Sequence, residues 1–189
     1  MLDNEIIKKI AKALVDAEDN HTYIEKISEK YPDIEIEDSY KIQKEVFKIK
    51  ENRGEKIIGK KIGLTSEGIR KQIGVYEPDF SLLTDKNILK SYQELELDKL
   101  NNPKLEPELT FILKEDLKGP IVSNVDVIKA ILGVTASFEV VDTRYKDYNF
   151  KIFDTIADSA SYGKIITSNK IVPIDNLDLD NIGLNVFKN

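Results

Sequence analysis

The stretch Lys104-Leu105-Glu106-Pro107-Glu108-Leu109-Thr110-Phe111-Ile112-Leu113 decides how the rest of the chain is interpreted. Its alternation predicts a half-buried β-strand. The apolar face would consist of Leu105, Leu109, Phe111 and Leu113. Glu106 and Glu108 then lie side by side on the opposite face, about 7 Å apart along the strand. Because Pro107 donates no ladder hydrogen bond, we expect an edge strand, a bulge or a strand end here.

Two neighbouring carboxylates have two interpretations. Carboxylates at a strand end are usually solvated, and this stretch alone is compatible with an exposed acidic edge. Alternatively, the repulsion between Glu106 and Glu108 is relieved by a proton or by a cation bound between them.

A second predicted strand, over residues 131–142, favours the cation. It places Glu139 on one face together with the small polar residues Thr135 and Ser137. A lone buried carboxylate costs several kcal/mol unless it is paired or binds a metal. Either Arg144 or a lysine pairs with Glu139, or Glu139 joins Glu106 and Glu108 as a third oxygen ligand. Three carboxylates in a chain without cysteine predict Mg²⁺ or Mn²⁺ and not zinc.

Composition limits the possible functions. The 189 residues suffice for one domain, or one domain with a small appendage. Acidic residues outnumber basic ones by 34 to 28, which argues against nucleic acid or an anionic membrane as a partner. The chain has no apolar run near the length of a membrane span and no signal-peptide core, so we expect a cytoplasmic protein. Its one histidine, His21, lies in a polar run, and we expect a solvated loop residue.

The N-terminal part is predicted to be helical. Apolar residues recur at helical spacing over 4–17 and 37–50, which predicts two amphipathic helices that serve as a scaffold or an oligomer surface. We therefore divide one compact unit into a helical region, residues 1–55, and a mixed β-sheet catalytic region, residues 56–189.

The strand predicted over residues 57–66 carries a candidate catalytic lysine. Lys61 is flanked on its own face by Gly59 and Gly63, which leaves room for a ligand near the ammonium and the backbone. Such a lysine suits a substrate carboxylate or a developing enolate oxygen. The alternative is a surface lysine on a glycine-weakened edge strand.

Later segments add weaker predictions. Asp79 is either a general base or a turn former. Ser123 begins a helix that runs through Leu132, and Asp154 caps a helix over residues 155–161. Asp142 and Arg144 are expected to form an ion pair. Residues 183–187 are predicted as a final strand whose open edge would need a partner.

Several motifs in order resemble those of the 2-keto-4-pentenoate (2-hydroxypentadienoate) hydratases and 4-oxalocrotonate decarboxylases, in the fumarylacetoacetase-like superfamily. They are Asp38-Ser39-Tyr40-Lys41-Ile42-Gln43, Gly59-Lys60-Lys61-Ile62-Gly63-Leu64-Thr65-Ser66, Pro78-Asp79-Phe80, Glu106-Pro107-Glu108-Leu109, Phe138-Glu139-Val140-Val141-Asp142-Thr143-Arg144 and Ala157-Asp158-Ser159-Ala160-Ser161. The resemblance covers nearly the whole chain.

The resemblance implies an α+β fold, with N-terminal helices and a mixed, rolled, barrel-like sheet that is incomplete at the C-terminus. It implies Mg²⁺ or Mn²⁺ held by Glu106, Glu108 and Glu139. It also implies Lys61 and Asp79 as catalytic residues, and a small α-keto acid bound by Lys61, Leu64 and Ser161.

The implied activity is hydration of 2-hydroxypenta-2,4-dienoate to 4-hydroxy-2-oxopentanoate, as in the catabolism of aromatic compounds. A 4-oxalocrotonate-type decarboxylase, or a truncated non-catalytic homologue that binds metal or a partner, are the alternatives. Family members extend beyond the equivalent of Asn189, so we expect a homo-oligomer or a partner chain to cover the C-terminal edge. Ser81 and Ser159 depart from the family's usual glycine and asparagine, and Lys60 from a bulky residue, which affects the substrate more than the metal.

Overall fold

The structure is a computed structural model that describes residues 1–73, 75–175 and 177–188. Its helices are α1 (Asn4–Asp19), α2 (Ile27–Lys30), α3 (Ile36–Asn52), α4 (Glu67–Ile73), α5 (Asn124–Ala130) and α6 (Ile152–Ala157). Its strands are β1 (Ile57–Gly63), β2 (Asp79–Thr84), β3 (Ile88–Lys90), β4 (Lys104–Leu113), β5 (Ile131–Val141) and β6 (Tyr162–Thr167). The chain therefore has the predicted mixed α+β composition.

The N-terminal helices form the main apolar core. Helix α1 begins where the Asp3 carboxylate accepts a hydrogen bond from the Glu5 backbone N–H at 2.7 Å. The core cluster combines apolar residues of α1 and α3 with two residues from the C-terminal half, Tyr145 and Ala157. Both predicted N-terminal helices are confirmed, and each extends about half a turn beyond its predicted end.

The strands form two sheets. Strands β1 and β2 pair antiparallel, and the other four have the order β3-β6-β5-β4. Strand β3 runs parallel to β6, whereas β5 runs antiparallel to both β4 and β6. Among the described residues both sheets are open, and β4 is an edge strand.

Strand β4 has the predicted bounds and the predicted alternation, but its apolar face is not buried. Pro107 lies opposite Phe138 on an edge strand, as its missing N–H requires. Leu105, Phe111 and Leu113 are between 43% and 55% exposed. The prediction of a half-buried strand is wrong in this respect, because the main apolar cluster is formed largely by the helices, and among the described strands only β5 pairs with β4. The partner expected at an open edge stays a prediction.

Three local predictions are also wrong. Helix α5 begins after the Ser123 cap as predicted, but it ends at Ala130, where β5 begins to pair with β4. Asp154 lies inside α6 and does not precede it; its carboxylate accepts hydrogen bonds from the backbone N–H groups of Lys151 and Ser28. Residues 183–187 are irregular and exposed, because no described strand pairs with them.

In the part of the chain that the structure describes, no helix combines the length and the apolarity needed to cross a membrane.

Candidate active site

Three carboxylates converge on the polar face of β4 and β5. Glu106 lies directly opposite Glu139 in the antiparallel register, and Glu108 lies opposite Ser137. Each glutamate offers an oxygen, and these oxygens all lie within 4.8 Å of one another. Glu139 is buried, whereas Glu106 and Glu108 are more exposed. The cluster therefore opens toward solvent on the β4 side.

The cluster is electrostatically unfavourable by itself. Like charges directly opposite one another destabilise an antiparallel pair. Burial raises the pKa of the Glu139 carboxyl, although Lys61 opposes the rise. Desolvation, and then the charge of Glu106, raise the pKa of Glu108. The three carboxylates repel one another, and the cluster would favour the binding of a cation or a proton.

Lys61 supplies one positive charge from the other sheet. Its Nζ donates to Glu139 Oε1 and, at 2.8 Å, to the backbone carbonyl of Ala160. The two side chains are only 9% and 7% exposed. Of the possible partners for Glu139, the structure therefore selects a lysine and not Arg144. Lys61 is also not a surface residue, so the alternative of a surface lysine on an edge strand is wrong.

Asp79 lies beside Lys61 because Gly63 has no side chain. Gly63 is its partner in the β1–β2 register, and a Cβ at Gly63 would lie 2.2 Å from Asp79 Oδ1. The space predicted for a ligand at this glycine is thus occupied by the Asp79 carboxyl. Asp79 is 3% exposed, and its Oδ1 has no hydrogen-bond partner among the described residues. Burial raises the pKa of this carboxyl, and Lys61 opposes the rise.

Helix α3 fixes β2 in this position. The buried Gln43 amide donates to the backbone carbonyls of Phe80, at 3.0 Å, and Ile156, at 2.9 Å. The Tyr40 ring stacks on Phe80 with centroids 4.7 Å apart. The first motif of the sequence, in α3, therefore holds the strand that carries Asp79.

Ser161 lies in a tight turn next to Lys61. The turn is the one whose Ala160 carbonyl accepts from Lys61, and Ser161 itself is 3% exposed. Its hydroxyl has no hydrogen-bond partner in the described chain. A buried hydroxyl without a partner is available for a ligand. Leu64, by contrast, follows β1 with a φ of +55°, and its carbonyl accepts from Arg70 at 2.6 Å.

Arg144 and Asp142 do not form the predicted side-chain ion pair. The Arg144 guanidinium pairs with Asp158, and both are buried. The Asp142 carboxylate instead accepts from the backbone N–H groups of Asn101 and Asn102, at 2.7–3.0 Å. The sequence indicated Asp158 only as part of a motif. It lies fourteen residues after Arg144, and no periodic pattern identifies the ion-pair partner of an arginine at that distance.

The three glutamates fit a hard divalent cation. Mg²⁺ and related ions prefer oxygen ligands, and carboxylates also neutralise their charge. Burial raises the pKa values of Glu108 and Glu139, and the neighbouring carboxylates raise them further, although Lys61 opposes the rise. Lys61, which already contacts Glu139, would border such an ion.

Known relatives cover the whole chain. No sequence-family profile matches it. It is 38% identical over 189 residues to a 2-hydroxypent-2,4-dienoate hydratase of Pseudomonas putida. The match covers all of this chain and 85% of that relative. It is 34% identical over 188 residues to a 4-oxalocrotonate decarboxylase of Pseudomonas putida, which spans 71% of that relative.

A solved structure agrees with these sequences. The 4-oxalocrotonate decarboxylase of Pseudomonas putida G7, in complex with magnesium and adipate, superposes with a TM-score of 0.89 at 34% identity. The match covers 95% of this chain and 68% of that enzyme. A second structure of the enzyme, with calcium and acetate, has a TM-score of 0.87. Fold and sequence together define a lyase of the metal-dependent type. The chain belongs to the family of 2-hydroxypentadienoate hydratases and 4-oxalocrotonate decarboxylases.

Proposed function

We propose that the chain is a divalent-metal-dependent hydratase that converts 2-hydroxypenta-2,4-dienoate to 4-hydroxy-2-oxopentanoate. The observation that carries this proposal is the contact of Lys61 with Glu139, because it places a proton-transfer group at the edge of the three-carboxylate cluster. The 38% identity to a hydratase over the full chain supports the choice of reaction.

Glu106, Glu108 and Glu139 would hold Mg²⁺ or Mn²⁺ through their clustered oxygens. When bound, the ion supplies Lewis-acid chemistry toward the carboxylate and 2-oxo oxygens of an α-keto acid. Magnesium is supported by the solved structure of the decarboxylase, and manganese by its similar preference for oxygen ligands.

The reaction balances as two proton transfers and one addition. The C2 hydroxyl of the dienol loses its proton while C5 gains one, which gives 2-oxopent-3-enoate. The oxygen of water then bonds to C4, a proton reaches C3, and one water is consumed. We assign the transfers at carbon to Lys61 Nζ, together with a water held by Asp79 Oδ1. This assignment is supported by the burial of Asp79 and by its Oδ1, which has no hydrogen-bond partner among the described residues.

Ser161 and Leu64 are proposed to line the substrate site. The Ser161 hydroxyl suits an oxygen of the substrate, because it is buried and has no hydrogen-bond partner in the described chain. Leu64 would contact the hydrocarbon part of the substrate at the end of β1, where its backbone turns through a positive φ.

Decarboxylation of 4-oxalocrotonate is the second candidate, because relatives with this name match at 33–34% identity. 4-Oxalocrotonate differs from the hydratase substrate in carrying a second carboxylate, which is released as CO₂.

We also propose that the two sheets belong to a rolled, barrel-like arrangement, which is supported by the contact of Lys61 in one sheet with Glu139 in the other.

The experiment that tests the proposal is a direct assay with purified protein. Loss of the ultraviolet absorbance of 2-hydroxypenta-2,4-dienoate is followed with Mg²⁺, with Mn²⁺ and with EDTA, and the product is identified by mass spectrometry. We expect metal-dependent turnover to a product one water heavier. Release of CO₂ from 4-oxalocrotonate without hydration would favour the decarboxylase, and no turnover of either substrate would contradict the enzyme assignment.

A further inference from the structure

The turn at residues 159–161 has an unusual backbone. Ser159, Ala160 and Ser161 have φ values of +55°, +52° and +52°. Residues other than glycine rarely adopt this left-handed region, and they do so as single residues rather than in runs. Three in succession persist only when the surrounding structure holds them there. We call this segment the left-handed turn.

The left-handed turn presents two groups to the candidate active site. The Ala160 carbonyl accepts from Lys61 Nζ at 2.8 Å, and the Ser161 hydroxyl is buried without a hydrogen-bond partner among the described residues. Lys61 has Glu139 as its other acceptor. The turn therefore determines the direction in which the Lys61 ammonium is held.

The Arg144 guanidinium binds the chain on both sides of the turn. Its Nη2 donates to the carbonyl of Asp158, which precedes the turn, at 2.6 Å. Its Nη1 donates to the carbonyl of Tyr162, which follows the turn, at 3.0 Å. The same Nη1 donates to the Asp142 carbonyl at 2.8 Å, and the Asp142 N–H donates to the Ser161 carbonyl at 2.8 Å.

The Asp158 carboxylate holds the Arg144 guanidinium in its position. Its carboxylate accepts from Arg144 Nε, from the Thr143 hydroxyl at 2.9 Å and from the Arg144 N–H at 3.1 Å. Arg144 and Asp158 are 4% and 1% exposed. The planar guanidinium donates in several fixed directions, and a lysine ammonium cannot reproduce that geometry.

We propose that Arg144 is a positioning residue: its guanidinium holds the left-handed turn closed and thereby sets the Ala160 carbonyl against Lys61. This inference rests on the proposed function, since Lys61 is the group that is positioned. Arg144 does not touch the carboxylate cluster in this arrangement, so its removal should impair proton transfer without removing a metal ligand.

The test is the Arg144→Lys variant of the full chain, compared with wild type and with Ile7→Ala. Ile7 is a buried core residue of α1, so its truncation lowers stability without touching the turn. All three proteins are assayed well below their melting temperatures. For Arg144→Lys we expect kcat to fall on the order of 10²-fold, with KM and Mg²⁺ affinity unchanged. Ile7→Ala should keep the wild-type kcat.

A rescue separates positioning from general destabilisation. Adding Ser159→Gly to Arg144→Lys should recover part of the lost kcat, because glycine adopts a positive φ without strain. An unchanged kcat in Arg144→Lys would overturn the proposal. So would a loss without any rescue by Ser159→Gly, or a loss accompanied by an equal loss of Mg²⁺ binding. If Arg144→Lys does not fold, Thr143→Val takes its place, and a kcat equal to wild type would overturn the proposal.

Amide hydrogen exchange gives a result that does not depend on activity. Arg144→Lys should lose protection at the Ser161 N–H, which donates to the Asp158 carbonyl, and at the Asp142 N–H, which donates to the Ser161 carbonyl. Ile7→Ala should keep that protection, and equal protection in both variants would overturn the inference. If wild type has no turnover, the proposed function fails, and the exchange result decides separately whether Arg144 holds the turn.

Discussion

Two buried ionic clusters donate hydrogen bonds to the left-handed turn and the residues that flank it, and they differ in how completely their charges are satisfied. In the pair Arg144–Asp158, the guanidinium donates to three backbone carbonyls as well as to the carboxylate. In the pair Lys61–Glu139, the Lys61 ammonium contacts the Glu139 carboxylate, and Glu106 lies opposite Glu139 in the β4–β5 register. Nearby, Asp79 Oδ1 and the Ser161 hydroxyl have no partners among the described residues.

This difference in charge satisfaction indicates a structural role for the Arg144–Asp158 pair and a ligand-binding role for the Lys61–Glu139 pair. A buried charge is tolerated when hydrogen bonds satisfy it, and a satisfied cluster rigidifies the surrounding chain. A cluster with excess negative charge and unpaired polar atoms is instead stabilised by a ligand. The Arg144 cluster is thus complete as the protein stands, and the Lys61 cluster is prepared for a cation and a substrate.

The largest expected effect is on the incomplete cluster. Glu139→Gln removes a charged oxygen ligand. Mutation of residues that only support a metal ligand costs up to about 100-fold, so we expect metal-dependent turnover to fall by more than that when the ligand itself is changed. The assay is turnover at saturating Mg²⁺. The matched control is Glu115→Gln, an exposed glutamate that should leave turnover unchanged. Full turnover in Glu139→Gln would show that the three glutamates are not the metal site.

Lys61→Met should separate proton transfer from metal binding. Loss of a general acid or base costs about 10²–10⁴-fold in rate, so kcat should fall by that factor. Mg²⁺ affinity, measured by calorimetry, should stay the same or increase, because Lys61 competes with the ion for Glu139. A collapse of Mg²⁺ affinity with normal turnover per bound ion would remove Lys61 from the catalytic role.

The complete cluster should respond in stability. Arg144→Met leaves Asp158 buried without its charge partner, and breaking a buried pair in this way costs about 3–5 kcal/mol of unfolding free energy. Arg53→Met is the control, because Arg53 pairs with Asp19 at the surface, where such a pair contributes about 0–1 kcal/mol. Equal losses in urea denaturation would mean that the Arg144 cluster does not stabilise the fold.

A smaller effect is expected from the glycines beside Lys61. In Gly63→Ala the new Cβ would collide with Asp79 Oδ1, so the Asp79 carboxyl must move. Because Asp79 is displaced and not removed, we expect turnover to fall by less than roughly 10²-fold, which is the smallest loss typical of removing a general base. Gly59→Ala is the control on the same strand face, because its nearest atom, Leu83 Cδ1, lies 3.7 Å away. If both alanine variants keep wild-type turnover, the position of Asp79 does not matter.

The smallest expected effect is a pH dependence of the metal-free protein. The pKa of Glu108 is raised in the folded state, first by desolvation and then by Glu106, above its ordinary value of 4.5. Its contribution to stability is therefore complete below about pH 4.5 and is lost as pH rises through the folded-state value. Thermal melts in EDTA should show wild type losing stability relative to Glu108→Gln as pH rises. A constant difference between the two would contradict the raised pKa.

Alternation predicted the carboxylate cluster, since the period of a strand determines which side chains share a face. The faces that carry Glu106, Glu108 and Glu139 followed from this rule, as did the bounds of β4. Burial did not follow, because alternation does not reveal what covers a face, and Leu105 and Phe111 are exposed.

Contacts between distant segments were also beyond the sequence. Nothing local specifies that Arg144 pairs with Asp158 and not with Asp142, or that the Ala160 carbonyl meets Lys61. Positive φ values at Ser159, Ala160 and Ser161 could not be predicted either, because none of these residues is glycine or asparagine. Such features depend on tertiary packing, and they lie next to the candidate active site.

A calorimetric titration with Mg²⁺, in the presence of oxalate as a mimic of an α-keto acid, tests the central claim most directly. We predict binding of about one Mg²⁺ per chain, strengthened by oxalate, since oxalate would add oxygen ligands to the bound ion and such coupling between two ligands is reciprocal. Glu139→Gln should abolish the binding, and Glu115→Gln should not. Absence of Mg²⁺ binding in wild type, or equal binding in wild type and Glu139→Gln, would contradict the account.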